Sequence, residues 1–189
     1  MLLAPGWAAA RDMTGKGGLG VLVPTSSRLG HTPVLALRYW RSAFAFEAAG
    51  GADWFMTSAG DDDTRRVFGQ VGGTWRLVDS RRLTAGLGGR LWMVYESREL
   101  TLAGATGTEY EITNDFGLIL EILLVAEYFF TDHFGISASV GPALSWGWSC
   151  ETQSRSDCGL IDVFDARRGA TVLELGGRYG GGIGMTYYF

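Results

Sequence analysis

The stretch TVLELGGRYGGGIGMTYYF, residues 171–189, decides the fold. Its odd positions carry Leu173, Leu175, Tyr179, Ile183, Met185, Tyr187 and Phe189. Its even positions carry Glu174, Gly176, Arg178, Gly180, Gly182, Gly184 and Thr186. Successive side chains of a strand point to opposite faces, so a period of two with one greasy face and one small or charged face marks a two-faced β-strand. The preceding segment repeats the pattern. Phe134, Ile136, Ala138, Val140, Pro142, Leu144, Trp146 and Trp148 alternate with Gly135, Ser137, Ser139, Gly141, Ala143, Ser145 and Gly147.

Moving back along the chain, the same alternation recurs. Near 114–131, Phe116, Leu118, Leu120, Ile122, Leu124, Tyr128 and Phe130 oppose Glu121 and Glu127. Near 82–96, Leu83, Leu87, Leu91, Met93 and Tyr95 oppose Thr84, Arg90 and Glu96. Near 66–78, Val67, Val71, Trp75 and Leu77 oppose Gln70, Thr74 and Arg76. Near 43–55, Phe44, Phe46, Ala48 and Trp54 oppose Glu47 and Asp53, and near 32–40, Leu35, Leu37 and Tyr39 oppose Arg38. A first strand near 17–23 brings the total to eight. The connections alternate in length: tight turns at 41–42, 79–81 and 131–133, longer ones at 24–33, 56–65, 97–113 and 149–170. In an up-and-down barrel, alternate connections lie at one end, so short turns and long loops segregate as in outer-membrane barrels.

Composition agrees. Charged residues are 19%, below the ~25% of soluble domains, while 47% are hydrophobic. The longest apolar runs, 91–95 and 122–126, are bracketed by Arg90 and Glu96 and by Glu121 and Glu127. None approaches the ~20 residues of a spanning helix. A net charge of −4 offers no attraction for nucleic acid.

A sheet spans lipid only when closed, because every backbone polar group must be satisfied within the protein. The apolar face then turns outward and the charged face inward. The expected lumen set is Arg38, Glu47, Asp53, Arg76, Arg90, Glu121, Glu127, Glu174 and Arg178. Outward aromatics gather at two levels, as both lipid–water interfaces favour, with Tyr179, mid-strand, at neither. Tyr39, Phe44, Trp75, Phe130, Phe134, Tyr187 and Phe189 lie toward the short turns; Trp54, Tyr95, Trp146 and Trp148 lie toward the long loops. A soluble lipocalin-like barrel is the rival; it would turn its apolar face inward and needs no aromatic belts.

With these features the chain resembles the small eight-stranded bacterial outer-membrane barrels of the OmpA transmembrane-domain and OmpX type. The resemblance covers most of the chain after Arg11 and implies an all-β, antiparallel up-and-down barrel, integral to the outer membrane, in contact with its lipid and lipopolysaccharide. The ending, with Met185, Tyr187 and Phe189 at alternate positions, resembles the signal read by the barrel-assembly machinery. An OmpA-type periplasmic domain is not expected.

The domain division is 1–10, the remnant of a secretory signal with an Ala-x-Ala site at Ala8-Ala9-Ala10, and 11–189, one barrel. An ordinary apolar tail is the alternative for the first segment. Cys150 and Cys158 suit a disulfide closing a small loop in an exported chain, or two unrelated thiols.

Little here carries chemistry. The lumen charges read as a structural network that fills the barrel or as a gated narrow ion path. His31, Ser26, Ser27 and Asp61–Asp63 lie in long loops. A His/Asp/Ser set there would resemble the barrel enzyme that palmitoylates lipid A, but its adjacent Asp-Ser pair is absent, as is the His-x-Ser of lipid A deacylase barrels. Gly15 to Gly20 matches G-x-G-x-x-G without the strand and helix that the motif requires. Pro142 falls inside a strand, where Pro marks a bulge or a gap through which an apolar molecule passes sideways. Alternation persists in Arg98 to Leu102 and Thr108 to Ile112, a hairpin standing above the membrane. The expectation is thus a non-enzymatic barrel without cofactor or metal, with a structural or surface-interaction role through loops 97–113 and 149–170. The alternatives are passage of small hydrophobic molecules through the wall and, further off, a lipid-modifying enzyme.

Overall fold

Eight strands follow in chain order: β1 (Gly17–Pro24), β2 (Val34–Arg41), β3 (Phe44–Met56), β4 (Asp62–Asp79), β5 (Leu83–Gly104), β6 (Gly107–Phe129), β7 (Phe134–Thr152) and β8 (Arg178–Tyr188). Each pairs antiparallel with the next, and β8 closes on β1. The computed structural model describes residues 12–25, 31–56, 62–104, 107–152 and 178–189.

The register fixes the geometry. A path of paired residues starts at Tyr188 on β8 and runs through Gly18, Arg38, Glu47, Gly72, Arg90, Glu121 and Ala143. It returns to β8 at Arg178, ten residues from its start. A stagger of ten over eight strands, with ~3.3 Å per residue and ~4.8 Å between strands, tilts the strands by about 40°. The lumen of such a barrel is just wide enough for side chains to fill.

Alternation sorts the side chains as their chemistry demands. Leu35, Leu37, Val67, Val71, Leu87, Ile122, Leu124, Val140 and Ile183 stand exposed on the outer wall. Arg38, Glu47, Arg90, Glu121 and Glu127 are buried inside. A soluble barrel would show the reverse, so the outer wall is a surface for lipid. At the short-turn end the outward aromatics meet across strands: Phe44 pairs with Trp75 and Phe134 with Tyr187. Phe44 packs edge-on to Phe46 at 4.7 Å, and Tyr128 to Phe130 at 5.1 Å.

The long connections differ from the expected loops. β4 begins at Asp62, β5 runs to Gly104, β6 starts at Gly107 and β7 reaches Thr152. Most of 97–113 is therefore ladder. Each residue added to these strands gains a paired neighbour, and the alternation of Arg98 to Leu102 and Thr108 to Ile112 supplies the pattern. The proposed signal remnant 1–10 lies outside the described residues, as do 171–177.

One element has no counterpart in the sequence reading. Before β1 the chain turns back at Met13 to Lys16, with the Lys16 amide donating to the Met13 carbonyl at 3.1 Å. Gly15, at φ 79°, takes the third turn position, where a side chain would be strained. The Gly15 amide donates to the Trp40 carbonyl at 2.9 Å, and Met13 enters the short-turn mouth fully buried.

Candidate functional site

The lumen is built in tiers. At the short-turn mouth, Met13 packs with Trp40, Ala45, Phe129 and Tyr188. Arg76 lies over the Trp40 ring at 5.1 Å and pairs with Asp79 at 3.0 Å. Outside this mouth Asp12 accepts the Thr14 amide at 2.9 Å, and that hydrogen bond holds its carboxyl below the usual range.

The next tier is ionic. Arg38 pairs with Glu47 through Nε and Nη2, while its Nη1 reaches Glu127 at 3.1 Å and Tyr188 at 3.2 Å. Arg90 pairs with Glu47 at 3.0 Å and donates to Ser139 at 2.9 Å. Gln70 donates to the same Glu47 oxygen at 2.8 Å. Glu121, 0% exposed, accepts from Trp92 Nε1 and from the Gly181 amide, each at 3.1 Å. Ions removed from water cost several kcal/mol each unless paired and hydrogen-bonded, and here every carboxylate has two or more donors.

Above it sits an apolar tier of Leu22, Val34, Ala36, Phe68, Trp92, Val94, Ile119 and Ala143. At the outer mouth polar groups return. Asp53 accepts Thr32 at 2.6 Å, and Arg66 pairs with Glu96 at 2.8 Å and with Asp53 at 3.8 Å. Beside the ionic tier the remaining space includes two cavities of about 10 Å³ each, lined in part by Arg38, room for about one water apiece. An ion crossing the lumen would have to pass an apolar cluster on each side of the ionic tier.

The structure thus brings Arg38, Glu47, Arg90 and Glu127 into one cluster, seats Glu121 beside it, and puts Asp53 and Arg76 in separate tiers. Arg178 starts β8 in register with Ala143. Glu174 lies outside the described residues. Trp40, Phe68, Trp92, Phe129 and Tyr188 also face inward, although their apolar character alone does not mark them for the lumen. Each sits two residues from an inward polar position: Arg38, Gln70, Arg90, Glu127 and Thr186. That parity was the available signal.

Pro142 faces lipid where the β6–β7 pairing lapses opposite Ile122 and Leu123. A Cβ at Gly141 would fall 1.8 Å from the Ile122 carbonyl oxygen, so the two backbones remain in close contact there. Cys150 lies on β7 in register with Asn114, while Cys158 lies outside the described residues. Met185, Tyr187 and Phe189 all face outward. His31 is exposed, Ser26, Ser27 and Asp61 lie outside the described residues, and Asp63 is tied to Trp54 Nε1 at 2.6 Å and Arg65 at 2.7 Å. Among the described residues no cluster of His, Cys and carboxylates is arranged to hold a metal ion.

No family model and no curated protein matches the chain. Among solved structures it is similar to Ail, the attachment invasion locus protein of Yersinia pestis, at 10% identity and TM-score 0.43, covering 94% of this chain and all of that one. It is also similar to a major outer membrane protein from Thermus thermophilus, at 12% identity and TM-score 0.47, covering 92% and 97%. Acinetobacter baumannii CarO matches at 10% identity and TM-score 0.38, covering 95% and 100%. All three are small eight-stranded outer-membrane barrels.

Proposed function

We propose that this outer-membrane barrel is an anchor for a surface-interaction element, the sheet that β4 to β7 raise above the membrane. The observation that carries the reading is the unbroken β5–β6 ladder. It continues from Glu96 paired with Asp115 to Gly104 paired with Gly107, past the outer aromatic level at Tyr95 and Phe116. At ~3.4 Å per residue that is about 30 Å along the strands. β4 supports one side as far as Asp62 opposite Leu100, and β7 the other as far as Thr152 opposite Ile112. Beyond these pairs the described tip, from Thr101 with Tyr110 to Gly104 with Gly107, extends past both supporting strands. Edges of this kind accept a further strand from a partner.

The tiered lumen favours this reading over passage through the barrel. Sideways passage of an apolar molecule at Pro142 is disfavoured by the buried Glu121 behind the wall and by the close contact at Gly141. The experiment replaces residues 99–111 with a two-residue turn and displays both forms on cells. Cells are then tested for retention on arrays of immobilised proteins and glycans. Retention by the intact chain above cells lacking it, lost on shortening while the barrel stays folded, supports the proposal. Equal retention by both forms overturns it.

A further inference from the structure

A groove of about 450 Å³ crosses the lipid-facing wall near the short-turn end. It follows one register row, with Val78 on β4 at one end and Ala85, Ala126 and Ala138 on β5 to β7 as its floor. Leu124 and Val140 stand above the row, and the bulge between Arg76 and Val78 turns Leu77 and Val78 outward together as its wall on β4. The stagger of the barrel makes this row climb. Val78 is next to the end of β4, whereas Ala138 lies well inside β7. Three strand spacings give it a length of about 14 Å.

The β4 end of the row, Val78, is two residues from the turn 80–83, where the Ser80 amide donates to the Leu83 carbonyl at 2.9 Å. That turn carries Arg81 and Arg82, both exposed. The neighbouring acid, Asp79, is engaged by Arg76, and among the described residues neither Arg81 nor Arg82 has an ion-pair partner. An apolar trough beside a turn that carries two guanidiniums without an ion-pair partner among the described residues suits an acyl chain bearing a phosphate at its end.

We infer that the groove holds one acyl chain of a phospholipid from the periplasmic leaflet, its phosphate held by Arg81 and Arg82. The chain gains dispersion contacts on the alanine floor and against both walls that it lacks on a smooth face. The phosphate gains charge-assisted hydrogen bonds in the fork geometry that guanidinium offers. The neutralised headgroup leaves the second chain free in the bulk lipid.

The test is native mass spectrometry of the full barrel in mild detergent. The added probes are palmitoyl-oleoyl phosphatidylglycerol and a diacylglycerol with the same chains. The wild type is expected to retain one phosphatidylglycerol. Ala126→Phe fills the groove and should abolish retention, and Ala138→Leu should reduce it. Leu37→Phe, on the opposite wall, should leave it intact. Arg81→Gln with Arg82→Gln should lower phosphatidylglycerol retention about three- to tenfold, the scale of two partly exposed charge pairs, and leave the diacylglycerol unchanged. Heat-modifiable mobility of each variant confirms folding, so loss of retention is read only on closed barrels. The inference is overturned if the wild type retains no lipid, if folded Ala126→Phe and Ala138→Leu retain it as the wild type does, or if the wild type is a dimer that Ala126→Phe splits.

Discussion

The Tyr188 hydroxyl donates to Glu127 Oε1 at 2.7 Å and accepts from Arg38 Nη1 at 3.2 Å. The last residue of β8 is thereby tied across the lumen to β6 and β2, on both sides of the β1–β8 seam that closes the barrel. Tyr188→Phe removes the hydroxyl and leaves a buried carboxylate one donor short. Loss of a hydrogen bond to a charged group costs about 1–3 kcal/mol. The urea midpoint of the barrel refolded in lipid vesicles should fall accordingly, and an unchanged midpoint would show that the tie contributes nothing.

Phe189, its neighbour, does the opposite. It is 71% exposed on the outer wall, and its amide donates to the Gly17 carbonyl at 3.0 Å. Its ring supports little of the lumen, so its expected role is in assembly. Phe189→Asp should refold in detergent with near-normal yield yet give sharply reduced heat-modifiable barrel in cells. Equal levels in cells would sink the assembly-signal proposal; equal failure in both settings would make the residue structural.

Arg38 is the hub of the ionic tier, facing both Glu47 and Glu127. Arg38→Met leaves two carboxylates short of their cation, and breaking a buried pair from one side costs about 3–5 kcal/mol. Adding Glu127→Gln removes the carboxylate left without a cation, since Glu47 keeps Arg90, so the double variant should be more stable than the single one in the same urea titration. The reverse order would mean that the charges are not energetically coupled.

The outward pattern was legible in the sequence because lipid imposes one chemistry on that face: Leu35, Ile122, Ile183 and their neighbours are apolar without exception at mid-barrel. The lumen was legible only in part. A narrow lumen accepts any side chain that fills it, so Trp92 and Phe68 sit inside beside Arg90 and Gln70 and carry no compositional mark. Met13 was hidden for another reason. Its place depends on a turn at Gly15 and a backbone bond to Trp40, a long-range contact that no local period encodes. The groove was equally silent, since Ala85, Ala126 and Ala138 become one row only through the register of separate strands.

Cys150 stands on β7 where that strand supports the raised β5–β6 ladder. A bridge to Cys158 would pin the chain that follows, stabilising it by about 2–3 kcal/mol in the chain-entropy model for so small a ring. Thiol titration of the exported protein, denatured without reductant, should find no free thiol. Reduction should leave heat-modifiable mobility unchanged. Two titratable thiols would refute the bridge.

The closed barrel and its raised ladder are tested together by a nitroxide scan along β6, residues 108–129, in lipid vesicles, with Cys150 and Cys158 replaced by serine. Between 116 and 129, accessibility to oxygen should alternate with period two, high at Leu118, Leu120, Ile122 and Leu124 and low at Ile119, Glu121, Leu123 and Val125. Between 108 and 112, accessibility to a water-soluble nickel reagent should take over, as the strand leaves the membrane. Loss of the alternation, or lipid exposure continuing through 108–112, would contradict a closed barrel that raises its β5–β6 ladder above the surface.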